Sequence, residues 1–397
     1  MAEHERRRQA WPRLKSLAAA LLIAALGGCE LIPDGADRDE RPPVEAAPPP
    51  PETQAPPQAR ADERNLVAVL VPLSGENAPV GRSIANAANM ALLDAGSDDI
   101  RLSIYDTARG GAAAAANEAL ADGAGLFLGP LLAEDVQAAA PVARRASVPV
   151  LAFSNDSSVA GNGVYVLGFT PAQSIERVTR YARSRNLARF AALVPEGEYG
   201  RRAYRALYEE LDGGRGEVVA MQEYPRNSEA LREAARKLNV QAGFDAVLIA
   251  DNGRIAGVAA PLIRRGPSSR AQILGTELWN VEAGLGENEA LRGAWFAAVP
   301  DTMFEQLGSR YRARYGSAPY RLASLGYDAV LLAIRVGEAW DRGARFPERE
   351  LVDPGGFSGV DGPFRFMRSG LAERALQVEE VTATGPRIVS PAPARFD

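Results

Sequence analysis

Cysteine and histidine, the side chains that most often carry nucleophilic and metal chemistry, occur once each in the 397 residues. Both sit near the start, as His4 and Cys29. Everything after Cys29 therefore lacks an imidazole and a thiol, which excludes Ser-His-Asp and Cys-His catalysis and zinc sites built from His and Cys. A lone cysteine makes no internal disulfide. Lysine is almost absent too, with only Lys15 and Lys237. No Gly-Lys-Ser/Thr closes a phosphate-binding loop and no Ser-x-x-Lys occurs, so both of those chemistries are missing. There is no excess of positive charge: 45 basic against 50 acidic residues give a formal charge of −5, which argues against a nucleic-acid partner. Long apolar runs are absent as well. The stretch Leu17–Leu26 falls well short of the ~20 residues a membrane-spanning helix needs.

What is present begins with the setting of Cys29. A basic start (Arg6, Arg7, Arg8, Arg13, Lys15) leads into the apolar stretch and then into Leu26-Gly27-Gly28-Cys29. That is the layout of a secretory signal with a lipoprotein cleavage site, and it predicts lipidation of Cys29 after removal of residues 1–28. The Arg6-Arg7 pair also admits twin-arginine export. Glu30, rather than aspartate, follows the cysteine, so the expected anchor is the outer membrane, facing the periplasm. Residues 29–64 are expected to form a tether. Pro42, Pro43, Pro48 to Pro51, Pro56 and Pro57 stand among Ala, Glu, Gln and Arg, a composition that favours extended structure over a core. At ~3.1 Å per residue such a segment reaches on the order of 100 Å.

From Asn65 the texture changes. Leu66 to Val71 is a continuous apolar run, as expected for a strand buried on both faces. Ile84, Ala87, Ala88, Ala91 and Leu92 then share one helical face. Further strands are expected at 101–105, 125–128, 148–153, 190–194, 218–224, 246–250, 273–275 and 295–299. Helices are expected between them at 134–145, 175–185, 204–211, 229–238 and 255–263, and after them at 303–314 and 323–340. Alternating strands and amphipathic helices imply parallel sheets, and more than 300 such residues exceed one comfortable core. Two lobes are therefore expected, with crossovers near 165–171 and 299–302. The tail from Phe357 to Glu380, with turn signals at Asp361-Gly362-Pro363 and Ser369-Gly370, reads as a β ribbon.

These residues resemble a known family. Val69-Leu70-Val71-Pro72-Leu73-Ser74-Gly75, the segment Gly81 to Ala88, Tyr105-Asp106-Thr107, Leu128-Gly129-Pro130-Leu131, Val148-Pro149-Val150-Leu151 and Gly326-Tyr327-Asp328-Ala329 are similar to type I periplasmic binding proteins of the leucine-binding kind. The resemblance covers residues 65–385. It implies an α/β fold of two lobes, each a parallel sheet flanked by helices, within a domain of residues 65–390. The first lobe is expected over about 65–168 and 300–345, the second over about 169–299 and 346–390. Within that superfamily the tail Gly359-Val360-Asp361-Gly362-Pro363-Phe364-Arg365-Phe366, with the lipoprotein start and the tether, looks most like the penicillin-binding protein activator lipoproteins.

The resemblance implies a non-enzymatic protein that binds and activates a peptidoglycan synthase. The alternative is a solute-binding protein of an importer for an amino acid or small polar solute, and a third reading is a hydrolase working with carboxylates alone. No cofactor and no metal are expected. In the leucine-binding relatives, hydroxyls and helix amides hold a ligand carboxylate, while a tyrosine and a carboxylate hold its ammonium. Carried onto this sequence, the candidate ligand contacts are Ser74, Ser154, Ser157, Tyr199, Asp251 and Glu277. Ala133 stands where those relatives place a serine, so one carboxylate contact is missing. Trp279 is expected in the core or at the rim of the cleft.

Overall fold

The computed structural model describes residues 64–396 except 215, 242, 283 and 395. Cys29, the signal segment and the tether lie outside the described residues.

The first lobe is built on a parallel sheet of five strands, in the order β2-β1-β3-β4-β5. These are β1 (Asn65–Val71), β2 (Ile100–Asp106), β3 (Ala124–Leu128), β4 (Val150–Ala152) and β5 (Val164–Val166). Every residue of β1 is buried, as its unbroken Leu-Val-Ala-Val-Leu-Val text requires of a central parallel strand. Helices α1 (Ala78–Ala95), α2 (Ala112–Ala121) and α3 (Ala133–Ala146) connect the strands.

The second lobe holds a sheet of seven strands, β15-β14-β10-β9-β8-β6-β7. Its parallel part is β6 (Arg189–Pro195), β7 (Glu217–Tyr224), β8 (Ala246–Ile249), β9 (Gln272–Gly275) and β10 (Trp295–Ala298). It is flanked by α4 (Pro171–Ser184), α5 (Glu198–Leu211), α6 (Ser228–Gln241) and α7 (Gly253–Ile263). Beyond β10 the sheet turns antiparallel through β14 (Gln377–Thr382) and β15 (Gly385–Ser390). Helices α8 (Thr302–Tyr315) and α9 (Ala323–Gly337) return to the first lobe, where Leu307, Tyr311, Val330 and Ala333 join the core beneath β1.

The tail is antiparallel β structure, as expected of a ribbon, but it is divided between two sheets. Strands β11 (Phe357–Gly359), β12 (Gly362–Phe366) and β13 (Ala372–Arg374) form a separate antiparallel sheet. Phe346, Phe357, Phe364 and Phe366 bury their rings in the first lobe's core, so residues 346–372, expected in the second lobe, pack with the first. Leu376, Val378 and Val381 are buried in the second lobe's clusters, and Val389 packs against one of them. The physical reason is that alternation marks a strand but not its partner. β14 pairs with the edge of the seven-stranded sheet, and β12 pairs with β11 and β13. The chain thus passes between the lobes three times, at 167–170, 299–301 and 375–376. The third passage is clamped by α4: Arg177 Nε donates to the Leu376 carbonyl at 2.9 Å, and Gln173 Oε1 accepts from the Arg374 amide at 2.9 Å.

Candidate binding site between the lobes

The three passages frame a cavity of about 330 Å³, the low end of the size range for small-molecule sites. Its walls are mostly apolar. Leu131, Leu132 and Phe153 come from strand ends and loops of the first lobe, Leu278 and Ala298 from the second, and Phe169 and Val299 from the passages. The charged residues of the lining are Glu277, Arg321 and Arg374.

Glu277 lies just after β9, at the start of a short 3-10 turn over Glu277–Val281. Two local features hold that turn. The Trp279 ring packs so closely over Gly275 that a Cβ there would fall 2.3 Å from the indole. The Trp279 Nε1–H donates to the Asp251 carbonyl at 2.9 Å, and the ring is buried against Phe296. The tyrosine that meets Glu277 is delivered from the end of β6. Gly200, in the first turn of α5, lets the helix settle there, because a Cβ would sit 1.8 Å from the Pro195 carbonyl oxygen. Tyr199 is thereby directed across the strand ends.

The result is a held carboxyl. Tyr199 Oη lies 3.1 Å from Glu277 Oε1 and 3.1 Å from Thr276 Oγ1. Ser174 Oγ, from the first turn of α4, lies 2.6 Å from Glu277 Oε2 and 3.0 Å from the Pro171 carbonyl. With Glu277 ionised, Ser174 donates to it. With Glu277 neutral, the acid donates to Ser174, whose proton turns to Pro171. Burial raises the Glu277 pKa above the usual carboxylate range, against the hydrogen bonds from Ser174 and Tyr199 that favour the charged form. Burial, then the Glu277 charge, raises Tyr199 well above the ordinary phenol, so it stays a donor. No Lys or Arg pairs with Glu277 among the described residues. The surface it keeps faces the cavity rather than bulk water.

The opposite wall carries a buried charge cluster. Arg321 Nη1 lies 2.7 Å from Asp361 Oδ1, and Nη2 lies 3.3 Å from Asp301. Arg374 Nη2 donates to the Leu167 carbonyl, and its guanidinium lies 4.7 and 5.3 Å from the ring centres of Phe169 and Phe364. Asp328 accepts from the Val360 amide at 2.7 Å; burial, with Asp361 beside it, pushes its carboxyl up to about 7. At the cleft edge Arg202 of α5 meets Asp156 of the first lobe at 2.7 Å, an ion pair between the lobes. Burial alone would raise Asp156, but the hydrogen bonds from Ser158 and Arg202 hold it below its usual range.

Of the six candidate contacts, only Glu277 lines the cavity; Tyr199 meets it by a hydrogen bond from outside the lining, and the other four lie away from it. Ser74 is exposed in the turn after β1 and donates to Asp106 at 2.8 Å. Ser154 is buried and accepts from the Asp156 amide. Ser157 opens a one-turn helix, Ser157–Val159, outside the lining. Asp251 is buried under Trp279, where its carboxylate takes the Tyr224 hydroxyl at 2.8 Å. Ser174, Arg321 and Arg374 are site residues that sequence reasoning misses. Ser174 has no motif around it, and Arg374 reads as one more residue of a ribbon.

Residues 66–384 match the periplasmic binding protein family. The chain belongs to that family. Among solved structures, a putative branched-chain amino acid ABC transporter protein from Rhodospirillum rubrum superposes with a TM-score of 0.71 at 20% identity, covering 82% of this chain and all of that one. Full-length LpoA from Haemophilus influenzae superposes at 0.64 with 18% identity, over 82% of this chain and 59% of its own. Among curated sequences, an uncharacterised Rickettsia prowazekii protein, RP748, is 25% identical over 174 residues, 44% of this chain. That match spans about half, 47%, of the relative. The family is that of periplasmic binding proteins, which suggests a periplasmic location. No helix of the described residues is long and apolar enough to cross a membrane, and no cluster of His, Cys, Asp or Glu among them is arranged to hold a metal.

Proposed function

We propose that this protein is a non-enzymatic periplasmic binding protein that holds a small, largely apolar solute between its lobes, through a donor group of the solute set on Glu277. The observation that carries the reading is a carboxyl in a largely apolar cavity, held by Ser174 and Tyr199, with no basic side chain paired with it among the described residues. A protein has little reason to keep such a group unless something else supplies the cation or the donor. A solute ammonium on Glu277 makes a charge-assisted hydrogen bond, worth about 1.5–3 kcal/mol. The test is thermal unfolding of residues 64–397 against apolar amino acids, their amines and wall-derived fragments. One compound at a hundred times its dissociation constant stabilises the fold by about 2.7 kcal/mol. A flat panel refutes solute binding of this class.

A second reading is favoured by the likeness to LpoA and by the tail Gly359–Phe366: the domain is a lipid-anchored scaffold, on Cys29 and the tether, that binds and stimulates a peptidoglycan synthase from the outer membrane. Pull-down of purified penicillin-binding synthases by the immobilised domain, followed by synthase activity with and without it, decides this reading. The two are compatible if solute occupancy alters the synthase-binding surface.

A further inference from the structure

The first turn of α4 ties the two lobes together through one side chain. α4 belongs to the second lobe, where Ile175, Val178 and Ala182 are buried with Phe190 and Val194. Its start, Thr170-Pro171-Ala172-Gln173, has the capping-box pattern, in which the side chain three residues after the cap turns back to the helix's own N-terminus. Gln173 does so in part, with Nε2 donating to Thr170 Oγ1 at 3.2 Å. The same amide also reaches the first lobe's small sheet. Its Nε2–H donates to the Ala372 carbonyl, and its Oε1 accepts from the Arg374 amide at 2.9 Å.

This pair of bonds is the one a neighbouring strand would make. Residues two apart in a strand turn the same way. In β13 the Ala375 amide faces β12, where it donates to the Pro363 carbonyl at 3.0 Å, so Ala372 and Arg374 face the opposite edge. That edge begins beside β5, whose Val166 amide donates to the Gly370 carbonyl at 2.7 Å. β5 ends there as the chain leaves for the second lobe, and the Gln173 amide takes over the edge from it. The passages converge on the same point. Thr170 closes the first and Arg374 heads the third, and Arg374 Nη2 donates back to the Leu167 carbonyl. The first and third passages are thereby joined, whereas the second is held separately by Arg321 on Asp301.

We propose that Gln173 is the hinge clasp of the two lobes, its amide setting the angle at which α4 stands against β13. Swinging α4 away from β13 breaks both backbone bonds together, and the passages alone then guide the motion. An apolar side chain of similar size cannot replace the clasp, because it offers neither the donor nor the acceptor. The role is a positioning one, and it holds whichever solute the cavity takes.

The experiment measures the separation of the lobes in the solute-free protein by pulsed electron paramagnetic resonance. Spin labels are placed on Glu134→Cys of α3 and Arg205→Cys of α5, both exposed positions, in a chain carrying Cys29→Ser so that no other thiol is present. Wild-type Gln173 is compared with Gln173→Leu and Gln173→Glu at pH 7 and pH 4, and circular dichroism checks that each is folded. Gln173→Leu is expected to raise the population at long separations roughly fivefold or more at both pH values. Gln173→Glu is expected to resemble the leucine variant at pH 7, where a carboxylate has no donor for the Ala372 carbonyl. At pH 4 it is expected to return towards the wild-type distribution, since the neutral acid offers one donor and one acceptor as the amide does. Coincident distributions for wild type and folded Gln173→Leu overturn the proposal. So does a glutamate variant whose distribution follows wild type at both pH values or fails to recover in acid, and this second comparison decides the matter if the leucine variant does not fold.

Discussion

Glu277→Gln is expected to make the empty protein more stable at neutral pH while removing its ability to hold a solute donor. The carboxylate has no cationic partner among the described residues, and burial raises its pKa in the folded state. For an acid shifted upwards, the folded state holds its proton more tightly than the unfolded chain. Stability is therefore greatest below the ordinary carboxylate range and falls as pH rises through it towards the folded value. Glutamine is neutral at every pH and fits the same partners: its carbonyl accepts from Tyr199, its amide donates to Ser174 Oγ, and Ser174 turns its own proton to Pro171, 3.0 Å away. Relief of the buried charge is worth on the order of 1 kcal/mol, or roughly 1–2 °C in a domain of this size. The assay is thermal unfolding of wild type and variant from pH 4 to pH 8. The two curves are expected to converge at pH 4 and to separate in favour of the variant as pH rises. A variant less stable than wild type at pH 7, or two parallel profiles, refutes the reasoning. The same variant is expected to bind the solute roughly 10- to 100-fold more weakly, through the lost charge-assisted bond.

Other substitutions probe the frame around the cavity. Trp279→Ala removes a fully buried indole, its contact with Phe296 and its bond to Asp251, and is expected to cost about 3–5 kcal/mol in urea unfolding. Breaking the interlobe pair with Asp156→Asn is expected to cost no more than about 1 kcal/mol at neutral pH, since Arg202 is 22% exposed. Because Asp156 is held below its usual range, that contribution is present above the ordinary carboxylate pKa and is lost as pH falls through the lower folded value, so variant and wild type are expected to converge in acid. Asp328 is shifted upwards to about 7, so Asp328→Asn is expected to flatten a decline in stability that wild type shows between about pH 4 and pH 7.

Short unbroken apolar runs and helical periodicity are legible in the chain. The buried text of β1 and the one-faced pattern of α7 each correspond to an element within a few residues. β5 is not legible, because Val164-Tyr165-Val166 is only three residues long and runs into the crossover expected near 165–171. β14 is legible as a strand but not as a member of the second lobe's sheet. Its partner there is β10, which pairs Trp295 with Glu380 and Ala298 with Gln377 across two helices and a whole separate sheet of intervening chain. The site follows the same rule. Tyr199 and Glu277 stand at strand-end positions that the family resemblance singles out. Ser174 meets Glu277 across 103 residues of chain, and Arg374 reaches the cavity only because it stands at the head of the third passage. Ser74, Ser154, Ser157 and Asp251 also lie near strand ends, yet local turns, caps and the Trp279 seat satisfy or divert them where they are. Proximity to a strand end marks a neighbourhood; which side chain faces the cavity depends on contacts made far away in sequence.

The most direct test of the central claim is calorimetric titration of the folded domain, wild type beside Glu277→Gln, with L-leucine, L-isoleucine and L-phenylalanine. The account predicts one solute per chain for at least one of these in wild type, with the affinity lost or weakened at least about tenfold in the variant. Equal binding by the two proteins, or no binding by wild type, would contradict it.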